Sequence, residues 1–320
     1  MSIKDNSFPA KILLFGEYTI LLGSSALSIP YDVFSAVLKF PDHAEPSSSR
    51  KQVTSNHHLF KFYEYLARQG EHLLHTIDFE KFHFDLVQGL FLQSTIPAGY
   101  GLGSSGSLVA AVFERFARYL PSNDEIATCE ALSGLKRTFS EMESFFHGKS
   151  SGFDPCVSFL KRPLLLTSDG VPEITILPEA FSTGGSGIFL LNTEQTGKTA
   201  PLVKDFINKF TPGGKFTEEG NALVQLTNQL VNSFLDFSEH HFWELMKRFS
   251  RSQFEDFRLM IPQNFTSLWL DGAENELFYL KLCGSGGGGY LIGFSPDLTS
   301  AITFLENGGY HPVPVKLPKQ

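Results

Sequence analysis

The stretch Ile96-Pro97-Ala98-Gly99-Tyr100-Gly101-Leu102-Gly103-Ser104-Ser105-Gly106-Ser107 decides how the rest of the chain is read. The run before it, residues 90–95 (Leu-Phe-Leu-Gln-Ser-Thr), has strand character, and the run after it, residues 108–116, has helix character. Between them, residues 99–107 hold four glycines and three serines. Glycine in such a turn permits positive φ and lets the backbone approach a ligand closely. The helix that follows aims its N-terminal N–H groups and the positive end of its dipole back into the turn. That combination is an anion site, suited above all to phosphate.

Three other readings compete on the loop alone. A plain strand-to-helix turn with Ser104 or Ser105 as N-cap also needs glycine. Gly101-Leu102-Gly103-Ser104-Ser105-Gly106 fits the dinucleotide pattern G-x-G-x-x-G, which further requires an acidic residue about 20 positions on, at the end of a second strand. Asp124 and Glu125 instead sit in a turn that opens another helix, so that pattern fails. The hydrolase pattern G-x-S-x-G fails by one residue, because Ser107 stands where its last glycine belongs.

Composition narrows the classes further. At 320 residues the chain has room for two domains with substantial cores. Hydrophobic residues make up 42% and charged residues 19%, as in an ordinary globular protein. A formal charge of −8 without any Lys/Arg run argues against a nucleic-acid partner. No apolar run reaches the ~18 residues of a membrane span, and no N-terminal leader pattern appears, so a cytoplasmic location is expected. Cys129, Cys156 and Cys283 lack metal spacing and read as reduced thiols, with Cys129 expected to pack in a core.

Outward from the loop, residues 8–40 read as strands and turns, with residues 19–22 among them, and residues 41–56 as a loop. A helix is expected near 59–69, and strands over 82–95. Ser122-x-x-Glu125 is a capping box opening a helical region that runs to His147-Gly148. Glu143 lies on that helix between Phe139 and Phe146, and alone it reads first as a border residue turned to solvent and second as an acid kept near the interior for a cation. Asp154 follows in what reads as an Asp-Pro turn. A domain boundary is placed at 180/181. Beyond it come a strand at 187–193, helices near 198–210, 216–237, 239–258 and 262–273, strands at 277–282 and 290–294, a helix at 297–307 and a strand at 311–317. This is a ferredoxin-like order with added helices. Gly197-Lys198-Thr199 imitates a Walker A ending, but Asn192 occupies the place of its first glycine. The glycine run at 284–289 splits two apolar strands too tightly to be a flexible linker.

Taken together, separated stretches resemble the GHMP kinases, and among them the mevalonate kinases most of all. Pro9-Ala10-Lys11-Ile12-Leu13-Leu14-Phe15-Gly16-Glu17-Tyr18 resembles the first motif, P-G-K-x-x-L-x-G-E-H. Residues 97–107 resemble the second, P-x-G-x-G-L-G-S-S-A. Lys281-Leu282-Cys283-Gly284-Ser285-Gly286-Gly287-Gly288-Gly289 resembles the third, K-L-T-G-A-G-G-G-G. Glu143-x-x-x-His147-Gly148 with Ser151-Gly152-Phe153-Asp154 resembles E-x-x-x-H-G…S-G-V-D. Ala10, Tyr18, Cys283 and Ser285 are the departures, and Tyr18 stands where a histidine near the acceptor is usual.

The resemblance implies an α+β, two-lobed fold. Residues 1–180 would form an N-terminal lobe like ribosomal protein S5 domain 2, and residues 181–320 a ferredoxin-like C-terminal lobe. It implies ATP and Mg²⁺ as cofactors and a small-molecule alcohol as partner, mevalonate first and phosphomevalonate or a sugar as alternatives. It allows a homodimer and gives no place to nucleic acid or membrane. By the same carry-over, Gly99, Gly101, Leu102, Gly103, Ser104, Ser105, Gly106 and Ser107 would hold the ATP phosphates. Ser105 and Glu143 would hold Mg²⁺, and Asp154 and Lys11 would be catalytic. Glu17 and Tyr18 would face the acceptor, while Gly284, Gly286 and Gly287 would support the phosphate loop. A catalytically silent binding protein of the same fold is the rival reading.

Overall fold

The computed structural model describes residues 6–41, 50–126, 128–196, 199–211, 215 and 217–318. Two compact units emerge, each built from three pieces of chain. The first comprises the stretch up to Lys11, Pro30–Ile96 and Gly103–Arg162; the second comprises Ile12–Ile29, Pro97–Leu102 and the chain from Pro163 onward. The sequence boundary expected at 180/181 therefore does not coincide with these units, because the first two strands and the glycine loop each contribute to both.

Strand β1 (Phe8–Phe15) is buried along its whole length, and β2 (Ala26–Lys39) is its neighbour. Strand β2 is a single 14-residue strand within the region expected as strands and turns. Residues 19–22, expected among the strands and turns, form a 3₁₀ turn ended by Gly23 in the left-handed region. In the first unit, β3 (Phe91–Ser94) pairs antiparallel with β2, Lys39 opposite Phe91. Helix Arg50–Leu66 begins inside the expected loop and buries Leu59, Phe62 and Leu66; residues 42–49 lie outside the described residues.

Residues 79–87, whose C-terminal part was expected as strand, form the helix Phe79–Val87, capped by Asp78 accepting from the Lys81 N–H. Phe82, Phe84 and Leu86 alternate like a strand, but only Phe82 and Leu86 are buried, whereas Phe84 is 63% exposed. The cap and the buried spacing of four residues are helical. The capping box forms as read, with the Ser122 N–H donating to Glu125 and the Glu125 N–H to Ser122 Oγ, but its helix is only Asn123–Ile126. A second helix, Cys129–His147, carries its own N-cap, Thr128. Cys129, expected in a core, is exposed at the head of that helix, while Cys156 and Cys283 are buried.

In the second unit, β4 (Leu164–Leu166) pairs with the start of β2 and with β5 (Pro172–Ile174). A short helix, Glu179–Thr183, spans the position of the expected domain boundary. Strands β6 (Gly187–Asn192), β7 (Tyr279–Leu282), β8 (Tyr290–Ser295) and β9 (Pro312–Val315) form an all-antiparallel sheet in the order β7-β8-β6-β9. Counted from the other edge, that is the fourth, first, third and second strand, the ferredoxin-like arrangement expected from the element order. Its edge strand β9 carries Pro312 and Pro314, which blunt an otherwise open row of donors. Helices Thr199–Phe210, Glu218–Leu235, Glu239–Asp256, Thr266–Glu274 and Leu298–Asn307 fall close to the expected spans. The core here is aromatic: Phe15 packs edge-on against Phe234 and Phe249 and stacks on Phe294 at 5.2 Å. No described helix is long and apolar enough to cross a membrane.

Candidate active site

Three helices of the first unit pack together and converge on Lys11. Helix Ser104–Phe116 starts behind Gly103, whose φ of 71° is left-handed. Its first-turn N–H groups point out of the helix end, as in any helix start. The body is buried from Gly106 to Phe113, so small residues such as Ala110 and Ala111 let its neighbours come close. Helix Phe153–Leu160 starts behind Gly152, also left-handed at φ 71°, and presents Asp154 in its first turn, not in a turn preceding the helix. A carboxylate there is favoured by the helix dipole.

Close backbone approach explains the glycines. A Cβ on Gly106 would lie 3.0 Å from the Asp154 carbonyl carbon, and one on Gly103 would lie 2.7 Å from Lys11 Cγ. Gly152 is tighter still, 2.1 Å from the Lys136 carbonyl oxygen and 2.5 Å from the Ser140 nitrogen. Gly152→Ala should therefore cost about 2 kcal/mol of stability through positive φ and collision, and should displace Asp154. Thermal melts measure the first effect and turnover the second; a variant equal to wild type in both would discredit this account of the turn.

Lys11 and Asp154 form an ion pair, Nζ to Oδ2 at 2.9 Å, with the lysine side chain 4% exposed and the aspartate 31%. The ammonium is thus held inside the unit and the carboxylate opens outward. Ser105 Oγ donates to Glu143 Oε1 at 2.9 Å, and Ser150 Oγ donates to the other oxygen of the same carboxylate. Glu143, read alone as a solvent-facing border residue, is buried. Helical periodicity placed it correctly between Phe139 and Phe146 but could not report what covers that face.

Burial, reinforced by the nearby charge of Asp154, pushes the Glu143 carboxyl up to about 7 against the opposing pull of the Ser150 and Ser105 hydroxyls. The folded state therefore keeps a proton that the unfolded chain releases near its ordinary value of 4.5. Between those two values the folded state binds more protons, so stability falls as pH rises; the contribution is complete below the lower value and gone above the upper. Its size is roughly 3 kcal/mol at most. Melting at pH 5 and pH 8 should show this slope in the wild type and a flatter one in Glu143→Gln. Equal slopes in both proteins would refute the assignment.

The remaining loop residues divide between the units. Ser107 is fully buried, its hydroxyl donating to the Pro9 carbonyl at 2.8 Å and its N–H to the Gly103 carbonyl at 3.1 Å. Gly99 and Gly101, both at φ 81°, and the buried Leu102 belong to the second unit. There a Cβ on Gly101 would lie 2.4 Å from the Cys283 carbonyl oxygen, and one on Gly284 would lie 2.8 Å from Gly101 Cα. Gly286 and Gly287, both at positive φ, continue the turn, and the Gly287 N–H donates to the Met260 carbonyl at 2.6 Å. The run at 284–289 is thus a folded hairpin connection lying against Tyr100 and Gly101.

Glu17 and Tyr18 also lie in the second unit, both buried. Glu17 forms an ion pair with Lys281, a buried contact that reading the motifs missed. A lysine between Leu280 and Leu282 in a fully buried strand was the available signal. Ser150 was missed too, because nothing local marks a serine two residues before Gly152 as a partner for Glu143. Gly197 and Lys198 of the imitation Walker A lie outside the described residues.

Left-handed glycine turns, a lysine–aspartate pair at a helix start and a serine–glutamate oxygen pair are thus the polar features of the candidate site. Residues 58–162 match the model of the GHMP kinases N terminal domain, and this match, the relatives and the solved structures all point to the GHMP kinase superfamily. It is similar to the mevalonate kinase of Thermococcus onnurineus, 27% identical over 97% of this chain and 95% of that protein, and to that of Thermococcus sibiricus, 21% identical over 98% and 96%. The fold matches the crystal structure of the Methanococcus jannaschii mevalonate kinase with a TM-score of 0.64 at 18% identity, covering 99% of both chains.

Proposed function

We propose that this protein transfers the γ-phosphoryl group of ATP to an alcohol, with mevalonate as the acceptor. The observation that carries this reading is the Lys11–Asp154 pair, with Asp154 packed against Gly106 in the first turn of the helix behind the glycine loop. A binding protein has no need of a base beside an anion-holding helix start. The preference for mevalonate rests on the matching relatives, which are mevalonate kinases along nearly their whole length.

In this reading the ATP phosphates lie on the backbone N–H groups of the glycine turn and of the first turn of helix Ser104–Phe116. Asp154 takes the proton of the acceptor hydroxyl as its oxygen attacks the γ-phosphorus, and ADP leaves. Lys11 pairs with the Asp154 carboxylate at 2.9 Å and polarises the same hydroxyl. Ser105 Oγ and the Glu143 carboxylate are hard oxygen donors on facing helices, and a buried carboxylate whose proton is held only by environment suits a divalent cation. They are the residues that would hold Mg²⁺, which when bound neutralises charge on the transferring phosphoryl group. A homodimer and a cytoplasmic location remain part of the proposal.

The test is ADP release with mevalonate, phosphomevalonate, galactose and homoserine offered separately. Turnover with mevalonate above the other three is the expected result. Preference for another alcohol would remove the acceptor assignment, and turnover with none would favour the silent binding protein.

A further inference from the structure

Tyr18 replaces the histidine usual near the acceptor, and its surroundings describe a different task. Its φ of 65° lies in the left-handed region, uncommon for an aromatic residue and sustained only when neighbours hold it. The ring stacks on Phe257 at 5.5 Å with an interplanar angle of 20° and lies 5.0 Å from Phe206. It is 6% exposed. From this aromatic slot the hydroxyl donates to the Ser285 carbonyl at 2.5 Å. Burial pushes the phenol well above its ordinary range, so the group stays a donor.

Ser285 is the point that matters. It sits between Gly284, which backs onto Gly101, and Gly286, whose added Cβ would lie 3.0 Å from Met260 Cβ. Farther along, a Cβ on Gly289 would lie 2.6 Å from Tyr100 Cα, and the Tyr290 N–H approaches the Tyr100 carbonyl at 3.4 Å. A turn so rich in glycine has much conformational freedom to lose, and a buried side-chain hydrogen bond restricts it. An imidazole ends short of the reach of a phenol hydroxyl, so the tie depends on tyrosine.

We infer that Tyr18 is a positioning residue for nucleotide binding: its hydroxyl holds the turn at 284–289 against Tyr100 and Gly101, and it does not contact the acceptor alcohol. The inference rests on the kinase reading above and deepens it. Tyr18→Phe removes only the hydroxyl and keeps the aromatic stack. In the full chain, the Kd of a non-hydrolysable ATP analogue with Mg²⁺, measured by calorimetry, should rise about five- to tenfold, the effect of one buried hydrogen bond. The acceptor KM should change less than about twofold, and amide exchange at Gly287 and Gly289 should quicken in the unliganded protein. Tyr18→His should behave like Tyr18→Phe.

A raised acceptor KM with unchanged nucleotide Kd would overturn the inference and return Tyr18 to the acceptor site. Unchanged nucleotide Kd and unchanged exchange would overturn it as well. A wild-type protein that binds no nucleotide would instead refute the kinase reading, an outcome visible before any variant is made.

Discussion

Asp154→Asn should lower kcat by about a thousandfold while leaving nucleotide affinity within about twofold, the signature of a lost general base, not of a lost binding contact. The substitution is nearly isosteric, and the amide oxygen can still accept from Lys11 Nζ, now 2.9 Å from Oδ2. What disappears is the ability to receive a proton from the acceptor hydroxyl. A thousandfold loss corresponds to about 4 kcal/mol of transition-state stabilisation. Because Lys11 is 4% exposed, the variant also faces a partly buried ammonium with a neutral partner, so melting must be measured alongside turnover. A folded variant within tenfold of wild-type kcat would remove Asp154 from the catalytic role. Falling nucleotide affinity with intact kcat would make it a binding residue.

The second large effect is on stability. Lys281 and Glu17 are 0% and 1% exposed at their side chains, and the ammonium also donates to the carbonyl oxygens of Leu282 at 2.7 Å and Leu13 at 3.3 Å. Lys281→Met leaves the Glu17 carboxylate buried without its cation, which should cost about 3–5 kcal/mol. Replacing both, as Lys281→Met with Glu17→Leu, removes the stranded charge and should recover most of that loss, because a buried pair is often no more stabilising than apolar residues of similar size. Melting temperatures of the two single variants and the double variant form the cycle that reads this. A double variant no more stable than Lys281→Met would show that the carbonyl contacts matter more than the ion pair.

The backbone of the glycine loop and the order of the strands were open to reading from residues alone, and the failures have physical causes. Glycines at 99, 101 and 103 announce positive φ, and all three adopt it. The ferredoxin-like order followed from the succession of strands and helices. Where two periodicities overlapped, as in Phe82, Phe84 and Leu86, the pattern could not decide, and the Asp78 cap did. Glu143 was misplaced because burial of a charge depends on what long-range packing lays over it. Ser150, adjacent to nothing distinctive in sequence, meets Glu143 only once the turn after His147 folds back. Pairings such as Lys281 with Glu17 join residues 264 positions apart, beyond the reach of any local pattern.

The three-piece construction of the second unit carries a consequence for how the chain is made. Gly101 meets Cys283 across 182 residues, and Tyr18 meets Ser285 across 267. Contacts of such separation repay their loop-closure entropy late, which slows folding and prolongs exposure of unpaired strands. During synthesis, β1 and the glycine loop leave the ribosome long before β7 and β8 exist to receive them. Until then this aromatic core, with Phe15 at its centre, has no partner rings from Phe249 or Phe294. Truncation before Tyr290 should therefore yield an aggregation-prone fragment instead of a smaller folded protein, which the fragment's solubility measures.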